Sequence, residues 1–176
     1  MHKKVVVYIA MSLDGYIARE NGDIDWLLEN SPSNPEEYGF PDFYKSIDTV
    51  IMGKSTYDQL PELSDSFPYP DKKCYVFSKS TSGSNENVEF INEEISSFIK
   101  KVKLQSEGNI WLVGGGKLIE SFIESDAIDE YIITIVPILI GKGIPLFNKN
   151  NVETLLKLKS HSRFGDCIMI HYEVKR

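Results

Sequence analysis

The segment IWLVGGGKLIESF, residues 110–122, decides how this chain is expected to fold. An apolar run typical of a buried strand meets three consecutive glycines, and apolar residues then recur at helical spacing as Leu118, Ile119 and Phe122. Because glycine loses more conformational freedom on folding than any other residue, three together indicate a close approach to the backbone that side chains would block. The segment predicts a strand, a glycine turn and a helix beginning near Lys117, whose charge adds to the free amide groups that bind phosphate.

A second segment, IDTVIMGKSTYDQL, has the same design. A predicted strand ends at Gly53, and a helix follows that begins with Lys54, Ser55 and Thr56. The carboxyl ends of parallel strands lie at the edge of an α/β sheet where ligands bind. Two such helix N-termini on neighbouring strands therefore predict a site for two phosphate groups of one ligand.

Neither turn matches a standard nucleotide-binding motif. Ile119 stands where the Rossmann fingerprint needs its last small residue, and Asp48 stands where the P-loop needs its first glycine. Ser78, at the end of the predicted strand KCYVFS, offers a third polar contact beside the two turns. A dinucleotide that carries an additional ribose phosphate is therefore the candidate ligand.

Strands alternate with helices along the chain, a pattern typical of an α/β domain with a mostly parallel sheet. The early strands are nearly continuous apolar runs, whereas the last two alternate and predict an antiparallel hairpin. The predicted strands are Val5–Ala10, Thr49–Gly53, Lys73–Ser78, Val88–Ile91, Ile110–Gly114, Glu130–Ile140, Leu155–Phe164 and Cys167–Lys175. The predicted helices are Asp42–Ile47, Ser55–Leu60, Asn92–Glu107 with Asn92 as its N-cap, and Lys117–Ser125, and proline-containing loops are predicted at residues 28–43 and 64–73.

Composition limits the partners that this chain is expected to have. Its 176 residues fit a single domain, and the formal charge of −7 disfavours nucleic acid or an anionic membrane as a partner. Cys74 and Cys167 form no metal or redox motif, and free thiols are typical of the cytoplasm. The histidines His2, His161 and His171 show no metal-ligand spacing, so no metal site is expected.

Four motifs, in this order, resemble the dihydrofolate reductase superfamily, and most closely its riboflavin-biosynthesis reductase branch, the RibD C-terminal domain. They are VVVYIAMSLDGYIA, DTVIMGKSTYD, IWLVGGGKLIESFI and DEYIITIVPILIGKGIPLF. The resemblance extends over nearly the whole chain. It implies a dihydrofolate reductase-like α/β fold: a mostly parallel central sheet of about eight strands, a C-terminal antiparallel hairpin and helices on both faces.

The resemblance also implies that the cofactor is NADPH. Lys54 and Ser78 would lie nearest the ribose 2′-phosphate, and the backbone of Ala10 would meet the nicotinamide carboxamide. The peptide bond between the first two glycines is often cis in this superfamily, so Gly114–Gly115 is expected to be cis. The residues assigned to the cofactor in this way are Ala10, Gly53, Lys54, Ser55, Thr56, Ser78, Gly114, Gly115 and Gly116.

The segment SLDGYIARENGDIDWL supplies candidates for the substrate side. Asp14, Asp23 and Asp25 are candidate proton-handling groups, and Trp26 offers a ring for stacking on a flat heterocycle. The segment DIDWL resembles the substrate-binding segment of folate reductases, in which Asp23 is the closer match in order, and Thr134 resembles their substrate-side threonine. Ordinary structural roles stay open: Asp14 lies in a common turn pair, Asp23 or Asp25 caps a helix, and Thr134 favours strands.

The leading prediction is a stand-alone NADPH-dependent reductase of a pyrimidine or pterin-like ring, similar to the 5-amino-6-(5-phosphoribosylamino)uracil reductase of riboflavin biosynthesis. A dihydrofolate reductase and an NADPH-binding module without turnover are the alternatives. The chain departs from the branch because Arg19, Arg163 and Arg176 lie outside the matched motifs, although arginine usually meets the substrate phosphate there. It also contains no zinc deaminase signature. A homodimer is expected, mainly from the resemblance.

Overall fold

The computed structural model describes residues 3–30, 39–148 and 152–176, so the part of the predicted first loop at residues 31–38 lies outside the described residues. The strands are β1 (Val5–Ser12), β2 (Tyr16–Ala18), β3 (Ile47–Gly53), β4 (Lys73–Phe77), β5 (Gly83–Ser84), β6 (Glu89–Ile91), β7 (Asn109–Gly114), β8 (Glu130–Val136), β9 (Ile144–Pro145), β10 (Leu156–Phe164) and β11 (Cys167–Val174). The helices are α1 (Asp25–Asn30), α2 (Phe40–Ser46), α3 (Lys54–Leu63), α4 (Ile95–Gln105) and α5 (Gly116–Glu124).

Nine strands form one sheet in the order β10-β11-β8-β1-β7-β3-β4-β6-β5, and β2 pairs separately with β9. The six strands from β8 to β6 in this order are mutually parallel. β11 runs antiparallel to β8, and β10 runs antiparallel to β11. The predicted α/β class with its C-terminal hairpin is confirmed. Because the central strands are parallel, the loops that follow them share one edge of the sheet.

Helices cover both faces of the sheet, as predicted. Neighbouring strand residues point to opposite faces, so Ile51 packs in the cluster that contains α4 and α5 residues, whereas Val50 and Met52 pack in the cluster that contains α2 and α3 residues. All three side chains are fully buried. This two-sided burial explains why the central strands are continuous apolar runs. Within the described residues, no helix is both long and apolar enough to span a bilayer.

Two predicted boundaries are wrong for identifiable reasons. The strand predicted over Glu130–Ile140 ends at Val136, because Pro137 has no N–H to donate to a ladder. The predicted N-cap of α4, Asn92, lies before the helix, and the carboxylate of Glu94 accepts the amides of Ser96 and Ser97 at 2.8 and 2.7 Å. These hydrogen bonds lower the pKa of Glu94 to about 2.

A buried carboxylate joins the C-terminal hairpin to the parallel sheet. Glu130, at the start of β8, accepts Lys4 Nζ at 2.5 Å and Lys159 Nζ at 2.7 Å, and its other oxygen lies 2.8 Å from His171 Nε2. Burial by itself raises the pKa of Glu130, but hydrogen bonds from Lys159, Lys4 and His171 outweigh burial and lower it to about 2. The ionised carboxylate therefore stabilises the contact between β8, β10, β11 and the residue before β1.

Replacing Glu130 with glutamine should reduce the free energy of unfolding at neutral pH by about 1–3 kcal/mol, since charged hydrogen bonds are lost in a buried place. The folded pKa lies below the ordinary value of 4.5, so this contribution is present above pH 4.5 and is lost as the pH falls towards 2. Urea unfolding at several pH values should show wild type and E130Q converging in acid. Glu124→Gln, at an exposed position, is the control, and parallel pH curves for wild type and E130Q would contradict the assignment.

Candidate cofactor and substrate site

A gap opens in the middle of the sheet at the edge where the parallel strands end. β1 pairs with β8 as far as Ser12 and Val136, but its pairing with β7 stops at Val7 and Leu112. The register of β7 against β3 shifts at Val113, which is a β-bulge. Bulges are common beside active sites because they redirect a strand. The ladder between β1 and β7 is therefore interrupted at this edge, beyond Val7 and Leu112.

The two predicted phosphate-binding turns lie side by side next to this gap. Gly115 N donates to Thr56 Oγ1 at 3.0 Å, so a side chain of the second turn holds the backbone of the first. A Cβ on Gly53 would lie 3.8 Å from the carbonyl oxygen of Gly114, an ordinary contact. The structure therefore brings the turns together, but the amide of Gly115 is already used by Thr56.

The helices after both turns have N-termini suited to an anion. Neither α3 nor α5 has a side-chain cap or an acidic residue in its first turn, and each has a lysine there instead, Lys54 and Lys117. In contrast, α1 and α2 have Asp25 and Asp42 in their first turns. A lysine at this end of a helix opposes the helix dipole and does not stabilise the helix. The arrangement is explained if the free amides and the lysines face a bound anion.

Glycine is required at each of these three positions by the structure of the chain itself. Gly114 and Gly115 have φ values of 142° and 31°, which residues with side chains rarely adopt. Gly116 is needed because a Cβ there would lie 2.9 Å from the carbonyl oxygen of Pro145 in β9. The close approach at Gly116 thus comes from the chain itself, which corrects the expectation that all three glycines make room for a ligand. The Gly114–Gly115 bond is trans, so the expected cis bond is wrong.

The third predicted contact lies on the next strand. Gly53 pairs with Phe77, which places Ser78 beside the turn after β3. Ser78 is buried, and its Oγ accepts the amides of Ser80 and Thr81 at 3.3 and 2.9 Å. Ser78 therefore shapes its own turn, while its hydroxyl hydrogen stays available as a donor.

Lys54 and Ser55 begin α3 with different surroundings. Lys54 Nζ contacts both carboxylate oxygens of Asp58, one helical turn later. Ser55 is exposed, and its Oγ would lie 3.9 Å from a Cβ on Gly115. Both residues thus border the paired turns, as predicted, but an anion that binds Lys54 has to compete with Asp58.

Two of the residues predicted for the substrate side, Thr134 in β8 and Trp26 in α1, lie near Ala10 of β1. Ala10 pairs with Thr134, and Ala10 packs in the same cluster as Trp26. Trp26 is fully buried, so the prediction that its ring offers an open stacking surface does not fit the structure. Its Nε1 is the buried side-chain polar atom without a hydrogen-bond partner in the described part of the chain. Such an orphan donor is costly and calls for an acceptor.

Asp14 holds the loop that follows β8. Its carboxylate accepts Ser12 Oγ at 2.6 Å and the amides of Ile140 and Gly141 at 3.2 and 2.8 Å. Desolvation raises the pKa of Asp14, but these hydrogen bonds outweigh it and lower the pKa below the ordinary value. An acid held in its ionised form is poorly suited to donate a proton, although its part in proton transfer stays a prediction.

Asp23 and Asp25 lie at the start of α1. Asp23 Oδ1 accepts the amide of Asp25 at 3.0 Å, which is the helix-capping alternative. Asp25 accepts Arg19 through two hydrogen bonds of 2.6 and 3.0 Å, and these lower the pKa of Asp25. The structure thus explains both carboxylates by local contacts, and neither contact tests a role in proton transfer.

Two long-range hydrogen bonds and one helical ion pair at this edge were not predicted. Gln59 Nε2 donates to the Gly22 carbonyl at 3.3 Å, so the segment between β2 and α1 reaches across to α3. Trp111 Nε1 donates to the Tyr8 carbonyl at 3.1 Å, just beyond the last paired residues of β1 and β7. Neither contact has a sequence signal, because its partners are far apart in the chain. The pairing of Lys54 with Asp58, in contrast, follows from their spacing.

The family model of the RibD C-terminal domain matches residues 3–170. The chain belongs to the RibD C-terminal domain family. It is 47% identical over 173 residues to the uncharacterised protein YwjB of Bacillus subtilis (strain 168), covering 98% of each chain. Its structure is similar to that of a putative riboflavin biosynthesis protein from Shewanella sp. PV-4, with a TM-score of 0.88, 29% identity and coverage of 98% and 99%.

Two more distant structures establish the fold of this RibD C-terminal domain. A diaminohydroxyphosphoribosylaminopyrimidine deaminase/5-amino-6-(5-phosphoribosylamino)uracil reductase from Thermotoga maritima matches at a TM-score of 0.72 and 16% identity, over 99% of this chain and 57% of that one. Dihydrofolate reductase from Enterococcus faecalis, complexed with NADP(H), matches at a TM-score of 0.69 and 16% identity, over 100% of this chain and 99% of that one. The fold is therefore dihydrofolate reductase-like, and these relatives are reductases by name.

Gly116→Ala should lower the free energy of unfolding by about 1–3 kcal/mol, because the added methyl group overpacks the contact with Pro145. Gly53→Ala is the matched control in the neighbouring turn, since its Cβ would meet only ordinary contacts at 3.8 and 3.9 Å. Urea denaturation of both variants measures the difference. Equal stability of G116A and G53A would show that β9 does not require the glycine.

Proposed function

We propose that this RibD C-terminal domain is an NADPH-dependent reductase of a pyrimidine or pterin-like heterocycle, of the same reaction class as 5-amino-6-(5-phosphoribosylamino)uracil reductase. The observation that carries the proposal is the pair of adjoining, uncapped helix N-termini at the gap between β1 and β7, each with a lysine in its first turn. The names of the similar structures, a riboflavin-pathway reductase and a folate reductase complexed with NADP(H), support the same reading.

The residues present fit a dinucleotide along the edge of the sheet. In this proposal, the amides at the start of α5 and Lys117 bind the pyrophosphate, and Lys54 and Ser78, which follow the neighbouring strands β3 and β4, bind the ribose 2′-phosphate. Ala10 borders the gap in which the nicotinamide would lie. When bound, NADPH supplies the hydride, while the protein supplies orientation and dipoles. Thr56 keeps the two turns in register by accepting Gly115 N.

On the substrate side, the described residues include the hydroxyl of Thr134 and two acids, Asp14 and Asp25, whose pKa values are lowered by hydrogen bonds. Thr134 lies opposite Ala10 on the same face of the sheet. The proton-handling roles of Asp14, Asp23 and Asp25 remain part of the proposal, with Asp14 held as a carboxylate by the amide of Gly141 and Asp25 by Arg19. These acids would position the loop and α1 around the substrate.

We also propose that the protein acts in the cytoplasm. Both cysteines, Cys74 and Cys167, are free and buried. Burial raises the pKa of Cys74 to about 12 and also raises that of Cys167, so both stay as thiols of low reactivity. Buried thiols without a disulfide suit a reducing compartment.

NADPH at about a hundredfold its dissociation constant should stabilise the protein by about 2.7 kcal/mol, more than NADH or ATP at the same concentration. Lys117→Glu should weaken NADPH binding about ten- to a hundredfold, because a charge-assisted contact contributes about 1.5–3 kcal/mol. The same change should leave the unliganded protein as stable or more stable, since an acid at this helix end favours the dipole. Thermal-shift titration measures both effects.

Lys100→Glu, on the exposed face of α4, is the matched control and should leave NADPH binding unchanged. Loss of stability without loss of affinity in K117E would contradict the assigned phosphate site. Turnover is tested by loss of the reduced-nicotinamide absorbance with the phosphoribosylamino-uracil and with dihydrofolate. Turnover of dihydrofolate alone would favour a folate reductase, and binding without any turnover would favour a silent module.

We further propose that two copies of the chain associate through the C-terminal hairpin. No residue of β10 is buried, and Leu156, Leu158 and Ile168 on one face of the hairpin are 38%, 48% and 40% exposed. The cationic side chains of β10 are already ion-paired within the chain: Lys157 with Glu173, Lys159 with Glu130, and Arg163 with Asp166. Lys157 alternates with Leu156 and Leu158 and therefore lies on the opposite face, so the apolar residues of this face can meet those of a second copy.

Leu158→Glu should convert a dimer into a monomer, because it places a charge in the centre of the proposed apolar contact. Leu104→Glu is the control, since Leu104 is 88% exposed on α4, away from the hairpin. Sedimentation equilibrium at micromolar concentration measures the mass of each variant. The proposal fails if the wild type sediments as a monomer, or if both variants behave alike.

A further inference from the structure

Lys54 and Asp58 form an ion pair on the first turns of α3, at the cofactor edge. Lys54 Nζ lies 2.5 Å from Asp58 Oδ1 and 2.7 Å from Oδ2, so the ammonium group donates to both carboxylate oxygens. The two side chains are 35% and 54% exposed. The pair is therefore accessible both to solvent and to an incoming anion.

The order of these two residues makes the pair easy to open. On a helix, an ion pair is weaker when the lysine precedes the acid by four residues than when the acid precedes the lysine. Exposed ion pairs also contribute little to stability. Lys54 is also the first residue of α3, where a cation opposes the helix dipole. Stability of the helix therefore does not explain a lysine here, whereas recognition of an anion does.

The position of the pair identifies which part of a dinucleotide it meets. Along the edge, the gap between β1 and β7 is followed by β3 and then β4. Lys54 follows β3, and Ser78 follows the neighbouring β4, so both lie on the side away from the gap. If the nicotinamide occupies the gap, the adenosine ribose reaches Lys54 and Ser78.

We propose that Asp58 sets how strongly this site prefers a 2′-phosphorylated dinucleotide over the unphosphorylated form. The inference rests on the proposed function and adds a residue that determines cofactor specificity. An incoming 2′-phosphate takes the ammonium group of Lys54 from Asp58, whose carboxylate then stays as a like charge beside a group bearing about −1.5 to −2. An unphosphorylated dinucleotide leaves the ion pair intact. Asp58 thus weakens binding of NADPH and has no comparable effect on NADH.

Asp58→Asn should therefore increase NADPH affinity about three- to fivefold while leaving NADH affinity unchanged, since asparagine neither competes for Lys54 nor repels phosphate. The gain should shrink as salt is raised, because exposed charges are screened. Glu62→Gln is the matched control: Glu62 is an exposed acid on the same helix, and its replacement changes the net charge by the same amount.

Dissociation constants for NADPH and NADH are measured by titrating nicotinamide fluorescence with wild type, D58N, E62Q, K54M and the K54M/D58N double variant. The affinity gain of D58N should vanish in the K54M background, because Asp58 acts through Lys54. A melting curve for each unliganded variant separates binding effects from folding effects.

An equal gain for NADPH and NADH in D58N, an equal gain in E62Q, or a gain that persists without Lys54 would each overturn the inference. If the wild type binds NADPH and D58N leaves both constants unchanged, the inference is wrong while the proposed cofactor stands. If the wild type binds neither dinucleotide, the proposed function fails and the role of Asp58 fails with it.

Discussion

The separation of β1 from β7 is the constraint on which the site depends. β1 stays paired with β8 to its end, so it remains part of the sheet, but it leaves β7 after Val7. The register of β7 against β3 shifts at Val113, Gly114 adopts a positive φ, and the indole N–H of Trp111 donates to the carbonyl of Tyr8, just beyond Val7. A polar backbone group is thereby satisfied without closing the gap. The proposed position of the cofactor follows from this break in the ladder.

The glycine turn shows how one segment serves packing and binding together. Gly114 and Gly115 allow the chain to reverse from β7 into α5, and Gly116 lets β9 pass close to the helix. These needs are internal, so the glycines alone do not prove that a phosphate binds there. The glycines place the start of α5 beside the start of α3, and Thr56 holds the two turns together by accepting the amide of Gly115 at 3.0 Å. Binding then depends on the amides and lysines that this packing brings together.

The sequence predicted the parts of the molecule that depend on local pattern. Apolar runs located the parallel strands, alternation located the hairpin of β10 and β11, and glycine turns located the starts of α3 and α5. The roles of individual acids were harder to predict, because they depend on distant partners. Asp14 binds amides at Ile140 and Gly141, more than a hundred residues away, and no local pattern distinguishes this clamp from a catalytic acid. The burial of Trp26 likewise depends on β8 and β11, which come much later in the chain.

Local electrostatics, and not net charge, decides whether this acidic chain can hold an anionic cofactor. The formal charge is −7, yet charges beyond about 8 Å are largely screened at physiological ionic strength. At the paired turns, the helix N-termini, Lys54 and Lys117 favour an anion, while Asp58 partly opposes it. The acids elsewhere at this edge are engaged: Asp14 accepts backbone amides and Asp25 accepts Arg19. The edge is therefore locally suited to an anion even though the chain as a whole is acidic.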